Sequence, residues 1–244
     1  EAYELPPQPA SPWPRFEAAR LLAVGLSQSE RASEALPVIE PFRELIEREG
    51  PVEQRMKFWS DYAYVLNSAR RLRRTADALV RAIETARMAG DFGEQATLTS
   101  NYANTLGNLG RVTEALEQAQ RARALQMQLG DTGGPAGGAI DMYIGMHSAA
   151  LGRYRDALVS LDAALDCFVR DGQIVWIAVA NNHRAALLLD LGQVGRAQKA
   201  LEYASPPIES VQARREVLTG RIERLQGRDG ASHISQSLAL ISKK

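Results

Sequence analysis

The chain has 244 residues, of which 45% are hydrophobic and 24% are charged, a composition typical of a globular protein rather than a disordered one. Its 29 Lys and Arg residues equal its 29 Asp and Glu residues, so it lacks the positive charge expected of a nucleic-acid-binding protein. A single Cys excludes an internal disulfide framework and a Cys-rich zinc site. The longest apolar run, residues 174–180, is too short to cross a membrane. Composition therefore predicts a soluble, cytoplasmic protein with no nucleic-acid or membrane partner.

The first predicted element is a proline-rich arm over residues 1–14, which hold five of the eleven prolines. Because Pro fixes φ and lacks a backbone N–H, this stretch is expected to be an extended linker from an upstream domain. From residue 15 onward, apolar residues recur at helical spacing and nothing alternates like a strand. Pro37 and Pro41 fall together in one predicted helix of this region.

Three segments of the chain resemble one another, namely LGNLGRVTEALEQAQRA (106–122), SAALGRYRDALVSLDAA (148–164) and LLDLGQVGRAQKALEYA (188–204). Each places a Gly before an apolar residue and then an Ala, which predicts a helical hairpin. The shared glycines end the first helix in a left-handed conformation, and the shared alanines let the second helix approach the first closely. These residues are Gly110, Gly152 and Gly192, followed by Ala115, Ala157 and Ala197.

Weaker copies extend the repeat to both ends of the chain. The anchor positions, spaced 35 to 43 residues apart, are Ala35, Ala78, Ala115, Ala157, Ala197 and Ser232. Six units of this length cover residues 15–244, so we predict one all-α domain of about twelve helices in antiparallel hairpins, with the last turn near Gly227.

The pattern resembles the tetratricopeptide repeat (TPR) family. In the fourth unit the family's small and aromatic positions are matched in order by Gly145, Gly152, Tyr154, Ala157 and Ala164. The units are longer than the usual TPR length of about 34 residues, and are similar to those of bacterial regulators with a nucleotide-switch domain, such as the maltose-regulon activator. The resemblance implies a right-handed α-solenoid in which the first helix of each hairpin lines a concave groove.

The resemblance also implies which residues line that groove, counted back from each anchor. They are Tyr64, Asn67, Arg70 and Arg71 in the second unit, Ser100, Asn101, Asn104 and Asn108 in the third, Met142, Tyr143 and Met146 in the fourth, and Asn182 and His183 in the fifth. Asn suits a peptide ligand because its amide has two donors and an acceptor, which can satisfy a peptide bond. The alternatives are that the Asn side chains are merely solvated, that the Met pair is core, and that the Arg pair is an exposed helix corner.

No arrangement of residues indicates catalysis, a metal or a cofactor. The three His residues lie in different units without metal-ligand spacing, and the glycine-rich stretch 130–138 lacks the Lys-Ser/Thr of a phosphate-binding loop. We therefore predict a non-catalytic domain that binds a peptide, a protein or a small effector in its groove, as the sensor part of a larger bacterial regulator. The alternative is a self-association module that forms a homodimer of its parent protein.

Overall fold

The computed structural model describes residues 11–29, 31–130, 134–203 and 206–242, and these contain helices and no strand. The helices of the described residues are α1 (Trp13–Gln28), α2 (Ala32–Ile39), α3 (Arg43–Glu49), α4 (Val52–Ser68), α5 (Leu72–Ala89), α6 (Phe92–Asn108), α7 (Val112–Gln128), α8 (Gly134–Ala150), α9 (Tyr154–Arg170), α10 (Ile174–Asp190), α11 (Val194–Ala200), α12 (Glu209–Leu225) and α13 (Ala231–Ile241). The prediction of an all-α chain of consecutive hairpins is confirmed.

The chain divides into two compact units, residues 1–98 and 99–244, with the boundary inside α6. Unit 1 holds α1 to α5. Unit 2 holds the second half of α6 and all helices from α7 onward.

In unit 1 the second arm of the first hairpin is broken, where the sequence predicted one helix. It consists of α2, a 3-10 turn at Glu40–Phe42 and α3. Pro37 lies inside α2 and Pro41 inside the 3-10 turn. Each Pro removes a backbone donor and crowds the preceding turn, so the pair interrupts the helix.

The helix α1 begins at Trp13 and therefore includes the last two residues of the predicted proline-rich arm. Pro14 lies in its first turn, where a missing backbone N–H costs no hydrogen bond. Residues 1–10 of the predicted arm lie outside the described residues.

The predicted turns of unit 2 are confirmed at Gly110, Gly152, Gly192 and Gly227, whose φ values are 80°, 75°, 69° and 76°. The anchors Ala115, Ala157 and Ala197 are completely buried, as expected for residues at a close helix crossing. At the α8–α9 crossing, a Cβ placed on Gly145 would lie 2.7 Å from Leu161 Cγ and 3.1 Å from the carbonyl oxygen of Ala157. The small residues therefore set the distance between paired helices.

Two anchor positions differ from the sequence expectation. In the second unit Arg70 occupies the turn position that Gly holds elsewhere, with φ of 57°, so the residue five positions on is Thr75 rather than Ala78. Thr75 is 1% exposed and donates its hydroxyl to the Arg71 carbonyl oxygen at 3.1 Å. In the sixth unit Ser232 is exposed, and the close approach of α12 and α13 is made by Gly220 and Gly230.

Candidate functional site

The first helices of the hairpins in unit 2 form a row, which we call the first-helix row: the second half of α6, then α8, α10 and α12. Helix α10 contacts both α8 and α12. Helix α6 meets α8 at Gly107, where an added Cβ would overlap the His147 ring. These helices carry most of the residues that the sequence predicted to line a groove.

Three asparagines mark the α6 end of the first-helix row. Asn101 and Asn108 are exposed and Asn104 is half-buried. Their spacing of three and four residues places them on one face of the helix. None of the three side-chain amides makes a hydrogen bond within the part of the chain that the structure describes. This face therefore presents unpaired donors and acceptors to a ligand. Ser100, predicted beside them, is only 5% exposed.

The predicted methionine patch on α8 belongs to the core, which was the alternative to a groove position. Met142 and Tyr143 are 2% and 8% exposed and pack in one cluster with Ala157, Leu161 and Phe168. Met146 is partly buried against the same cluster. Burial also raises the pKa of the Tyr143 hydroxyl. Helix α8 packs against both α9 and α10, and the apolar surface of Met142 and Tyr143 is buried in these contacts. These two side chains therefore offer little surface to a ligand.

His147 is a polar residue of the first-helix row that was not predicted as part of the site. Its side chain is 5% exposed and hydrogen-bonds to the backbone of Ala103 on α6. Its Nε2 atom has no hydrogen-bond partner among the described residues. Burial lowers the pKa of the imidazole. The absence of a side chain at Gly107 makes room for the ring, a pairing that spacing within one unit does not reveal.

Asn182 and His183 lie at the other end of the row, on α10. Asn182 is 4% exposed, and its Nδ2 donates to the carbonyl oxygen of Val211 at 3.1 Å. It therefore joins α10 to α12 rather than facing a ligand. His183 Nδ1 lies 3.5 Å from Nη2 of Arg214 on α12.

The electrostatics of this end depend on Arg214. Burial first, and then the charges of Arg214 and His147, lower the pKa of His183 to about 3, so His183 is neutral at pH 7. Arg214 carries the positive charge, and desolvation lowers its pKa without removing that charge. No carboxylate of the described residues forms an ion pair with Arg214, although twelve other Arg, Lys and His side chains do form such pairs. A negative group on a ligand could pair with it.

The predicted groove residues of unit 1 lie on α4 and in the turn that follows it. Tyr64 is 42% exposed and Asn67 is exposed, both on α4. Arg70 and Arg71 are also exposed, but they stand in the α4–α5 turn rather than on a helix face. Arg70 and Arg71 thus occupy the helix corner, which was the alternative to a groove position.

Two general features of the described residues bear on the class of protein. No helix among them is long and apolar enough to cross a membrane. Within the same residues, no group of three or more His, Cys, Asp or Glu side chains could hold a metal ion.

No protein-family model and no curated protein sequence matches this chain. Solved structures do match. The STAND protein PH0952 from Pyrococcus horikoshii, which has a tetratricopeptide repeat sensor, is 13% identical with a TM-score of 0.71, over 97% of this chain and 37% of that protein. NprR in complex with its cognate peptide NprX is 12% identical with a TM-score of 0.69, over 94% and 68%.

The type IV pilus biogenesis factor PilW is also similar, at 18% identity and a TM-score of 0.65 over 94% of this chain and 93% of that one. At these identities the similarity concerns the fold. The prediction of an all-α, TPR-like solenoid of helical hairpins is confirmed.

Proposed function

We propose that this chain is a non-catalytic binding domain that holds an extended peptide, free or part of a protein, along the first-helix row of unit 2. The observation that carries the proposal is the set of unpaired amides of Asn101, Asn104 and Asn108 on one face of α6. Asn is a poor helix former, so three on one helix face reduce helix stability without gaining a side-chain hydrogen bond within the described residues. A ligand that uses the amides accounts for them.

The face of α6 that carries Asn101, Asn104 and Asn108, which we call the Asn face, has dimensions that fit an extended peptide. With a helical rise of 1.5 Å per residue, Asn101 and Asn108 lie about 10 Å apart along the α6 axis. Three residues of an extended peptide span about the same length, at roughly 3.3 Å each. Each amide can donate to a ligand carbonyl and accept from a ligand N–H, so the ligand is bound through its backbone. Arg214 at the far end of the row favours a ligand with a negative group there.

The experiment begins with peptides selected from a random library against the full chain. The affinity of a selected peptide is then measured for the wild type and for Asn101→Ala combined with Asn104→Ala. Each lost hydrogen bond is worth about 0.5–1.5 kcal/mol, so we expect the double variant to bind about tenfold more weakly or worse. Its melting temperature should be unchanged or higher, because Ala is the better helix former.

The matched control replaces two exposed residues of α7, Glu117→Ala with Gln120→Ala. Helix α7 is the second helix of the same hairpin, so it lies outside the first-helix row. The control should bind the peptide as the wild type does. Equal affinity of the Asn double variant and the wild type would contradict the proposal.

The setting of the domain is part of the same proposal: a cytoplasmic sensor within a larger bacterial regulator, which could also respond to a small effector. It is supported by the similarity to the peptide complex of NprR and to the sensor of the STAND protein, and by the long repeat unit. Sequencing the complete gene tests this setting, since a regulator of the maltose-regulon-activator type requires a nucleotide-switch domain or a DNA-binding domain in the same chain.

Self-association is a second candidate function, favoured by an exposed apolar stripe on α13. Ile234, Leu238 and Ile241 are 41%, 63% and 61% exposed and follow one another at spacings of four and three. Paired stripes would bury this surface between two copies. Light scattering should then give the mass of a dimer for the wild type and of a monomer for Leu238→Gln with Ile241→Gln. A monomeric wild type would exclude this function.

A further inference from the structure

Unit 1 contains a cavity of about 480 Å³ between α3, α4 and α5. This volume is within the range of about 300–1,000 Å³ that is usual for small-molecule sites. Trp59 and Tyr62 of α4 line it and are themselves 5% and 3% exposed. Val80 of α5 adds an exposed apolar wall.

Two ion pairs bound the cavity. Their two acidic residues are seven residues apart, and so are their two basic residues. Arg74 of α5 pairs with Glu40 at 2.7 Å, and Arg81 of α5 pairs with Glu47 of α3. The Arg81 guanidinium also lies 4.9 Å from the centroid of the Trp59 ring. The two ion pairs lie at the two ends of the cavity, so each end contains one positive and one negative group.

The same spacing offers a third ion pair between the other two, but this pair is not formed. Arg43 stands three residues after Glu40, and Asp77 stands three residues after Arg74. Both side chains line the cavity. The charge of Arg43 lies near enough to Glu40 to help lower the pKa of that carboxyl group. Within the described residues, however, neither Arg43 nor Asp77 makes a direct ion pair, in contrast to Glu40 with Arg74 and Glu47 with Arg81. Among the described residues, the cavity therefore presents one cation and one anion that are in no direct ion pair, next to the apolar side chain of Val80.

We propose that this cavity binds a free α-amino acid with an apolar side chain. The carboxylate of the ligand pairs with Arg43, its ammonium group pairs with Asp77, and its side chain packs against Val80 and the edges of Trp59 and Tyr62. A zwitterion fits because it supplies an anion to Arg43 and a cation to Asp77 at once, whereas an anion or a cation alone makes only one of the two contacts. The site is separate from the peptide site of unit 2 and does not depend on it.

Isothermal titration calorimetry of the full chain tests the proposal with L-leucine and L-phenylalanine as probes. Phenylacetate lacks the ammonium group and phenethylamine lacks the carboxylate, so each should bind at least about tenfold more weakly than L-phenylalanine. Saturable binding of the amino acids with this order of affinity supports the proposal. No saturable heat from either amino acid, or equal affinity for the analogues, overturns it.

Three variants assign any binding to the cavity. Arg43→Gln and Asp77→Asn should each weaken amino-acid binding by about tenfold or more. Arg48→Gln is the control, because Arg48 is exposed on the same helix and pairs only with its neighbour Glu49. All three positions are exposed, so the melting temperatures should stay close to that of the wild type. Unchanged affinity in Arg43→Gln and Asp77→Asn would place the ligand elsewhere and overturn the proposal.

Discussion

Arg70 shows how a single backbone conformation can shift a repeat by several residues. In the third, fourth and fifth units a Gly takes the left-handed turn position, while Arg70 takes it in the second with φ of 57°. Residues other than Gly rarely adopt this backbone conformation. An Arg at this position therefore gives no sign in the sequence that a turn is present. Counting from Ala78 then placed Arg70 and Arg71 on a helix face, although they stand in the turn.

The strain at this turn can be measured by replacing Arg70 with Gly. The left-handed conformation costs a non-glycine residue about 1–2 kcal/mol, and the extra chain entropy of Gly offsets part of the gain. We therefore expect Arg70→Gly to increase the free energy of unfolding by about 0.5–1 kcal/mol in denaturant titration. The reciprocal change Gly152→Arg, at the equivalent turn of α8 and α9, should decrease it by a similar amount. A loss of stability in Arg70→Gly would mean that the Arg side chain makes a stabilising contact.

His183 provides a test of the electrostatics of the first-helix row. Its folded-state pKa of about 3 is below the ordinary value of 6.5, so the unfolded chain binds the proton more readily. The stability linked to His183 is complete above pH 6.5 and is lost as the pH falls toward 3. At pH 5 the loss is at most about 2 kcal/mol. His183→Gln should therefore lose less stability than the wild type between pH 7 and pH 5 in thermal melts.

His233 is the matched control because its pKa shifts in the opposite direction. The pKa of His233 is raised, mainly by its hydrogen bond to Glu216. In this bond Nδ1 of His233 lies 2.6 Å from Oε2 of Glu216. The stability linked to His233 is complete below pH 6.5 and is lost as the pH rises through the raised folded-state pKa. The difference in melting temperature between the wild type and His233→Gln should shrink from pH 6 to pH 9. The same pH trend in both variants would contradict the assignment of the two shifts.

The candidate site was predictable only in part. The Asn spacing on α6 indicated one helix face, and the three side chains do share an open face. Met142, Tyr143 and Asn182 also stand on first helices, but their burial depends on contacts with α9, α10 and α12, which helical spacing does not contain. His147 was missed because its partners, Ala103 and Gly107, belong to another repeat.

At the scale of elements, the glycine and alanine pairs decide how closely the helices of a hairpin approach. The sequence predicted these crossings well, since Gly145 and Ala157 stand at fixed positions of the repeat and only small residues fit there. The broken second arm of the first hairpin was less predictable. Pro37 and Pro41 indicated a disruption, but the exact pieces depend on local packing.

Replacing Gly145 with Ala tests the α8–α9 crossing. The added Cβ would meet Leu161 and the Ala157 carbonyl group, so overpacking should cost about 1–3 kcal/mol despite the better helix propensity of Ala. Ala157→Leu, from the other side of the crossing, should cost a similar amount. The control is Gly25→Ala in α1, where the Cβ would meet nothing within 4 Å, and there we expect a gain of up to about 1 kcal/mol. Denaturant titration measures all three, and a stabilised Gly145→Ala would refute the close crossing.

At the scale of the whole molecule, the sequence predicted the fold class but not the division into two units. The repeat runs through the boundary between residues 98 and 99, and no Gly, Pro or Ser-rich linker marks it. Here the boundary lies within a regular helix, so neither composition nor periodicity could indicate it.

Ligand binding at the Asn face of α6 can be observed through the side-chain amide resonances of asparagine. The chain has six Asn residues, so selective ¹⁵N labelling gives six pairs of signals that single substitutions can assign. Addition of a selected peptide should shift the signals of Asn101, Asn104 and Asn108. The signal of Asn181, whose Nδ2 donates to the Ile177 carbonyl oxygen of its own helix at 3.0 Å, should stay in place. Saturable peptide binding with no shift at the three α6 asparagines would contradict the account.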